Sequence, residues 1–538
     1  MRGWNIVAGV ILFVSMLAAK TTVRNIGESL YLHGVTPSGA ALKGVREAGG
    51  SASGDAVACV NCHRRSGLGT VEGRIVIPPI TAKYLFHQTL RSVQEPESHH
   101  VGASPRERSA YTDETLARAI REGIDPDGKP LDYLMPRYPL DDETTASLID
   151  YLKGLSSGKV PGVTDDTLHF ATIITPDADP VQRKGMLDVL ERYFESKNRF
   201  YRADTPILVS SRRMKFRVQR KWQLHVWELT GGPETWEEQL RSRLKAEPVF
   251  AVISGLGGRT WQPVHRFCEE ESLPCILPNV DLPVDAESDF YNVYFSKGVL
   301  LEGQLMARQI GQTAGTSKLR RVIQVYREDD VGADAARALH DEIAPHGLAV
   351  KECPLAPGDS APEIAAAVEK AGPQDALILW LRPGDLRSLP AEPPGSSAIF
   401  VSGIMGNLED SPLNDAWRGA VQMTYPYELP APRSARLNYI LGWFRIEHIP
   451  VVAERTQVDT YIACGILAEN LSHMLDNFVR EYLLETVEVM LSSRIIDGYY
   501  PRLGLAPGQR FASKGGYIIH FAGADEKKMI PEGDWIVP

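Results

Sequence analysis

From Asp166 onward, short apolar runs alternate with helix-length amphipathic segments. Leu168–Ile174, Trp222–Leu229, Phe250–Gly255, Cys275–Leu277, Tyr291–Ser296, Arg321–Tyr326, Ala376–Leu381 and Ala398–Ser402 read as strands, and Val181–Phe194 as a helix. Such alternation predicts parallel sheets covered by helices. Roughly 370 residues are too many for one such sheet, so two lobes are expected.

The first part of the chain is patterned differently. In Met1–Lys20, Arg2 precedes an apolar and small-residue run from Ile6 to Ala19. The run rises only ~21 Å at 1.5 Å per residue, short of a ~30 Å hydrocarbon core, so residues 1–19 read as a secretory signal peptide or a short N-terminal anchor. The remainder is expected to be exported, periplasmic in a bacterium, with membrane contact only through an uncleaved N-terminus. Asp141–Leu155 places Leu148, Ile149, Leu152 and Leu155 on one narrow face of a helix capped by Asp141. Ser156–Asp166 is polar, bears Gly and Pro and has no period, which marks a linker. The expected divisions are 1–19, 20–155, 156–166 and 167–538.

Composition narrows the function classes. Of 538 residues 43% are apolar and 23% charged, which excludes a mainly disordered chain. The net charge of −10 excludes nucleic acid as an expected partner, since phosphate contacts need a basic surface. Six cysteines are too few for a disulfide scaffold, so their positions matter.

Two of them fall in Cys59-Val60-Asn61-Cys62-His63. Chance would produce a C-x-x-C-H string roughly 0.002 times in such a chain, and the pattern points to covalent attachment of one haem c. Two thiols one helical turn apart reach the two vinyl groups of a porphyrin, and the adjacent His63 reaches the iron. A thioredoxin-like pair would need a βαβ context, a zinc site a fourth ligand, and a Cys59–Cys62 disulfide would be strained. Met135 is the one methionine between Lys20 and Lys159, and Pro136 after it favours extended backbone, so it is the expected second axial ligand. His33, His87, His99 and His100 are its rivals.

The segments GESLYLHG, CVNCHRRSGLG, Ile75–Ile80, Met135-Pro136 and the helix Asp141–Leu155 together resemble a class I c-type cytochrome domain, which implies an all-α fold for 20–155. The resemblance also implies that Pro78, or equally the adjacent Pro79, offers its carbonyl to the His63 imidazole.

The later segments PVFAVISGLGG, LPCILPNVD, DFYNVYFSKGVLLEGQLMARQIG and RRVIQVYREDDVGADAARALHDEI resemble the type I periplasmic solute-binding fold of the branched-chain amino-acid receptor kind. The closing stretch from Gly498 to Phe521 looks like that family's C-terminal hairpin. The resemblance implies a two-lobed α/β module whose ligand cleft lies at strand C-termini: Ser254, Gly255, Gly257 and Gly258, Asn279 with Asp281, Arg327 to Asp330, and Arg382. Backbone amides at the glycines would approach an anionic group such as a carboxylate.

No enzymatic signature occurs in this half, which favours a carrier over a catalyst. Trp222, Trp227, Trp261 and Trp380 read as core. Cys268 and Cys275, seven apart across a turn in an exported chain, are expected to form a disulfide, and Cys353 and Cys464 to be core thiols.

The expectation is therefore an all-α cytochrome c domain followed by a two-lobed α/β binding module. Its function would be one-electron transfer by an exported mono-haem protein, with the module sensing a solute or docking a redox partner, a periplasmic dehydrogenase or another cytochrome. The alternative is a solute-binding protein of a transport system with an ancillary haem. A third reading is a periplasmic oxidoreductase.

Overall fold

A computed structural model of the chain describes residues 26–46, 49–72, 75–88, 108–199, 201, 207–209, 215–217, 219–286, 289–314, 319–408, 412–474, 477–523 and 526–538. These fall into two units. One comprises Met1–Asp166 with Arg202–Arg220 and Glu469–Thr486, and the other holds Thr167–Tyr201, Lys221–Ala468 and Val487–Pro538. The signal-like segment, His99 and His100 lie outside the described residues.

The larger unit follows the apolar runs. Thr167–Ile174 is buried at every position except Thr167 and His169, as a strand covered on both faces should be. It pairs in parallel with Lys221–Glu228 on one side and Ala251–Ile253 on the other. Cys275–Ile276 and Asn292–Val293 complete a five-stranded parallel sheet. Helix Pro180–Arg199 begins where the Asp179 carboxylate accepts the backbone N–H groups of Val181 and Gln182, at 2.9 and 2.8 Å. Helices Trp236–Ala246 and Gln262–Glu270 supply Trp236, Leu240, Val264 and Phe267 to the core of this lobe, which includes Trp227 and Trp261.

The second lobe is a seven-stranded sheet in the order Ala349–Leu355, Arg321–Arg327, Asp375–Trp380, Ala398–Ser402, Val421–Tyr425, Tyr517–Gly523, Glu526–Pro531. The first five strands are parallel and the last two antiparallel. The closing hairpin is thus 517–531, later than expected. In the stretch before it, Gly504 and Ala512 are joined by a backbone hydrogen bond, but no strand longer than a bridge forms between 498 and 516. Helices Val299–Ala314 and Gly332–Ile343 cover the sheet with Leu305, Met306, Ala336 and Leu339.

The smaller unit departs from the all-α expectation. Helices Asp113–Glu122 and Asp142–Gly154 do form, the latter capped by Asp141, whose side chain accepts the Thr144 N–H at 2.7 Å. Leu30, Tyr31, Leu116, Ile120, Tyr138, Leu148 and Leu152 make their shared core. Beside them stand three two-stranded antiparallel pairs: Lys43–Val45 with Ser51–Ser53, Thr70–Glu72 with Ile75–Ile77, and Ile207–Val209 with Lys215–Arg217.

Nor is this unit built from 20–155 alone. Buried Glu485 accepts the Ser66 N–H at 2.9 Å and the Ser66 hydroxyl at 2.6 Å. The side-chain oxygen of Asn477 accepts from Lys83 Nζ and the Tyr84 hydroxyl, each at 2.9 Å. Polar groups buried in the N-terminal segment find their partners some four hundred residues later. A self-contained all-α module ending before a linker is therefore replaced by a mixed unit assembled from three stretches of chain. The 156–166 segment itself has no helix or strand.

Candidate functional site

The Gly-rich loop after Ala251–Ile253 is the first candidate, and its geometry answers the amide question. A Cβ on Gly255 would stand 2.5 Å from the Trp261 ring, and one on Gly257 would stand 2.8 Å from the same ring and 2.9 Å from Val280. Those glycines admit a buried tryptophan. The Gly257 N–H donates to the Asn279 carbonyl at 3.1 Å, the Gly258 N–H to the Thr175 hydroxyl at 2.9 Å, and the Arg259 N–H to Asp177 at 2.7 Å. With these three amides satisfied by protein, the Gly257–Arg259 turn is not the expected anion cradle.

Ser254 and Asn279 form a buried chain. Ser254, at φ 48°, donates its hydroxyl to Thr460 Oγ1 at 2.8 Å, and Asn279 Nδ2 donates to Ser254 Oγ at 3.0 Å. The Asn279 side-chain oxygen is buried and has no hydrogen-bond partner among the described residues. Thr460 belongs to helix Glu454–Met474, which also brings Arg455 and Asp459 to this place. Asp459 is fully buried, and neither carboxylate oxygen has a hydrogen-bond partner among the described residues. Burial pushes its pKa up to about 7, against the pull of Arg455. Asn279 and Asp459 line one small cavity with Phe295, Ser296, Arg455 and Tyr500.

The two arginines expected in the cleft part company. Arg327 is fully engaged inside the second lobe: Nε and Nη2 reach Asp385 at 2.9 and 2.7 Å, and the carbonyls of Ala356 and Asp359 accept the rest. It is a structural clamp and not a cleft residue. Arg382, at the end of the second-lobe strand Asp375–Trp380, donates to Asp281 of the first lobe at 2.8 Å and to Asp330 at 2.8 and 3.0 Å. Burial would lower its pKa, but the two aspartates more than reverse that and raise it. Arg259 adds a second bond between lobes, to the Glu328 carbonyl at 3.0 Å. The lobes are thus tied across the mouth of the cleft, and Arg455 lies 3.5 Å from the same Asp281.

Sequence reasoning missed Arg455, Asp459, Tyr427 and Tyr500. Tyr427, Tyr499, Tyr500 and Phe295 form a ring cluster with centroid separations of 5.3 to 5.9 Å. The available signal was Arg455 and Asp459 four apart, a spacing that puts both on one face of a helix.

The C-x-x-C-H residues lie in the smaller unit. Cys59 precedes the single turn Val60–His63, and Cys62 is exposed. His63 is buried, and its Nδ1 lies 3.0 Å from the Pro78 carbonyl. Burial pulls its pKa down to about 4, so the ring is neutral and Nδ1–H is the donor. Cys59 and Met135 border the same apolar cluster, whereas His33 and His87 are exposed. Burial also pushes the Cys59 thiol up to about 12.

Cys268 and Cys275 both sit in the first-lobe core, as separate thiols and not the expected bridge. Cys353 and Cys464 are buried. His265, Glu269 and Asp289 approach closely enough to hold a cation, but Glu269 already accepts the N–H groups of Phe290, Tyr291 and Asn292 and the Asn292 amide, while His265 is bonded to Tyr294 and Asp289.

No protein-family model matches the chain. No curated protein matches it either. Solved structures do. A fatty acid ABC transporter substrate-binding protein from Thermomonospora curvata is 17% identical over 71% of this chain and 95% of its own, with a TM-score of 0.51. A branched-chain amino acid ABC transporter protein from Thermus thermophilus with bound valine is 10% identical over 70% of this chain and 97% of its own, also with a TM-score of 0.51. These findings overturn the reading of the chain as a cytochrome c domain joined to a binding module and acting in one-electron transfer; what is shared is the solute-binding architecture. Among the described residues no helix is long and apolar enough to cross a membrane. The fold is the two-lobed one of those solute-binding proteins.

Proposed function

We propose that this chain is an extracytoplasmic solute-binding protein that captures a small molecule between its two lobes for a transport system. The observation that supports it most is the cavity beside the Arg382 ties, where Asn279 and Asp459 hold buried acceptors without protein partners. Such atoms are costly to bury unless something satisfies them, and a solute would do so. A thermal-shift screen of the exported full-length protein against small metabolites tests this. A solute at about a hundred times its Kd should stabilise the fold by about 2.7 kcal/mol. A broad library that leaves the unfolding midpoint unmoved would contradict the reading.

We propose separately that Cys59 and Cys62 carry one covalent haem c, held by His63 and Met135. The hydrogen bond from His63 Nδ1 to the Pro78 carbonyl supports it, because that bond leaves Nε2 as the ligand atom. The haem would supply an iron with two protein ligands. Protein exported from a haem-attaching host should keep its haem on a denaturing gel, and a Cys59→Ala, Cys62→Ala variant should lose it. Haem retained by that variant would contradict the assignment.

A further inference from the structure

Ser66 stands three residues after His63 and has every polar group engaged. It is fully buried. Its N–H donates to Glu485 Oε1 at 2.9 Å and its hydroxyl to Glu485 Oε2 at 2.6 Å, while its carbonyl accepts the Ser156 hydroxyl at 2.7 Å. The hydroxyl oxygen also accepts the Leu68 N–H at 3.1 Å. Glu485 lies on helix Arg480–Ser493 and is 5% exposed.

The loop anchored at Ser66 is the one that carries the imidazole. Arg64 holds φ 64° and ψ 167°, a region that is costly for a residue other than glycine, and its carbonyl accepts the Tyr31 hydroxyl at 2.6 Å. The Gly67 carbonyl accepts the Ile80 N–H at 2.8 Å, and the His63 carbonyl accepts the Gly69 N–H at 3.1 Å. A Cβ on Gly69 would stand 2.1 Å from the Ile77 carbonyl oxygen, so 67–69 and 77–80 hold one another closely. Within that piece the Pro78 carbonyl accepts from His63 Nδ1 at 3.0 Å. A backbone in such a region keeps its shape only where its surroundings over-determine it. Glu485 supplies two of the bonds that do so. Asn477, from the same late stretch of chain, ties Lys83 and Tyr84 instead.

We infer that Glu485 is a positioning residue for the His63 imidazole: by gripping Ser66 it holds the Pro78 carbonyl against Nδ1–H and so sets the donor strength of Nε2 toward haem iron. This rests on the haem reading. An imidazole whose N–H is firmly bonded to a carbonyl is the more basic ligand and favours oxidised iron. Loosening the loop should therefore raise the reduction potential.

Spectroelectrochemical titration of the exported full-length protein tests this, with covalent haem measured first. Glu485→Ala should raise the ratio of reduced to oxidised haem at a fixed potential by at least about fivefold. Glu485→Gln keeps an acceptor for the Ser66 N–H and a partner for its hydroxyl, and should recover most of that shift. Ser66→Ala loses only the hydroxyl bonds and should shift the ratio the same way by a smaller factor; it carries the test if Glu485→Ala yields no holoprotein. Asp141→Ala removes a helix cap in the same unit, and should lower the unfolding midpoint while leaving the ratio unchanged. Glu485→Ala at the wild-type potential would reduce the carboxylate to a packing role. Equal shifts in the Gln and Ala variants would make it a charge and not a positioner. Either result overturns the inference, as would Asp141→Ala shifting the ratio as far as Glu485→Ala. Wild-type protein without covalent haem would remove the haem reading itself, and the inference with it.

Discussion

Two adjoining parts of the cleft handle charge in opposite ways. In one, Arg382 meets Asp281 and Asp330 at 2.8 Å each, and every participant has its counter-charge within the protein. In the other, Asp459 and Asn279 hold acceptors without a hydrogen-bond donor among the described residues. A satisfied network holds a conformation, because breaking it strands charges. An unsatisfied one is a standing cost that a ligand can remove. The contrast assigns the first to closure of the lobes and the second to recognition. Glu269 and Glu302 strengthen the point. Both carboxylates are wrapped by protein donors, Glu302 by the Gly403 and Ile404 amides and the Ser402 and Thr424 hydroxyls.

The largest effect expected from breaking this contrast is at Asp459. Its raised pKa means that the stability associated with its neutral form is fully present below about pH 4 and is lost as pH rises through about 7. Without solute, Asp459→Asn should gain about 2 to 4 kcal/mol at pH 8 and almost nothing at pH 4, read from denaturant unfolding at both values. Burial also raises Glu302 to about 7, so the variant should keep part of the wild-type pH dependence. An equal gain at both pH values would remove the distinction between the two parts of the cleft.

Arg382→Met is the converse experiment. It leaves Asp330 without its paired cation and Asp281 with Arg455 alone, and should cost about 2 to 3 kcal/mol, toward the low side for a broken buried pair because the arginine side chain is 38% exposed. Small-angle scattering should show a more open molecule. In the smaller unit, Glu485→Ala strips the Ser66 amide and hydroxyl of their acceptor and should lower stability by about 2 kcal/mol in chemical unfolding. The smallest effect is expected from Ser254→Ala, about 1 kcal/mol by thermal unfolding, with slightly weaker solute binding as Asn279 loses its support.

The strands were legible because covered parallel strands are near-continuous apolar runs, and Thr167–Ile174 and Ala398–Ser402 fall within a residue of where those runs place them, as does the partly exposed edge strand Lys221–Glu228. The chemistry of the cleft was less so. Arg327 and Arg382 look alike in sequence, each at the end of an apolar run, yet Asp385 claims the first and the opposite lobe the second. Gly255 and Gly257 carry the composition of an anion loop, but the space they leave belongs to Trp261. Asp459 offers only its four-residue spacing from Arg455, and only packing reveals that it has no donor. The dependence of Ser66 on Glu485 is equally invisible, since no local pattern joins residues that far apart.

The most direct test of the cleft assignment is a crystal structure of the full chain with the solute identified by screening. The account predicts density in the cavity lined by Asn279, Asp459 and Tyr500, with a donor atom of the solute within hydrogen-bond distance of Asp459 and the Arg382 ties intact. Solute bound elsewhere, with Asp459 and Asn279 still lacking donors, would contradict it.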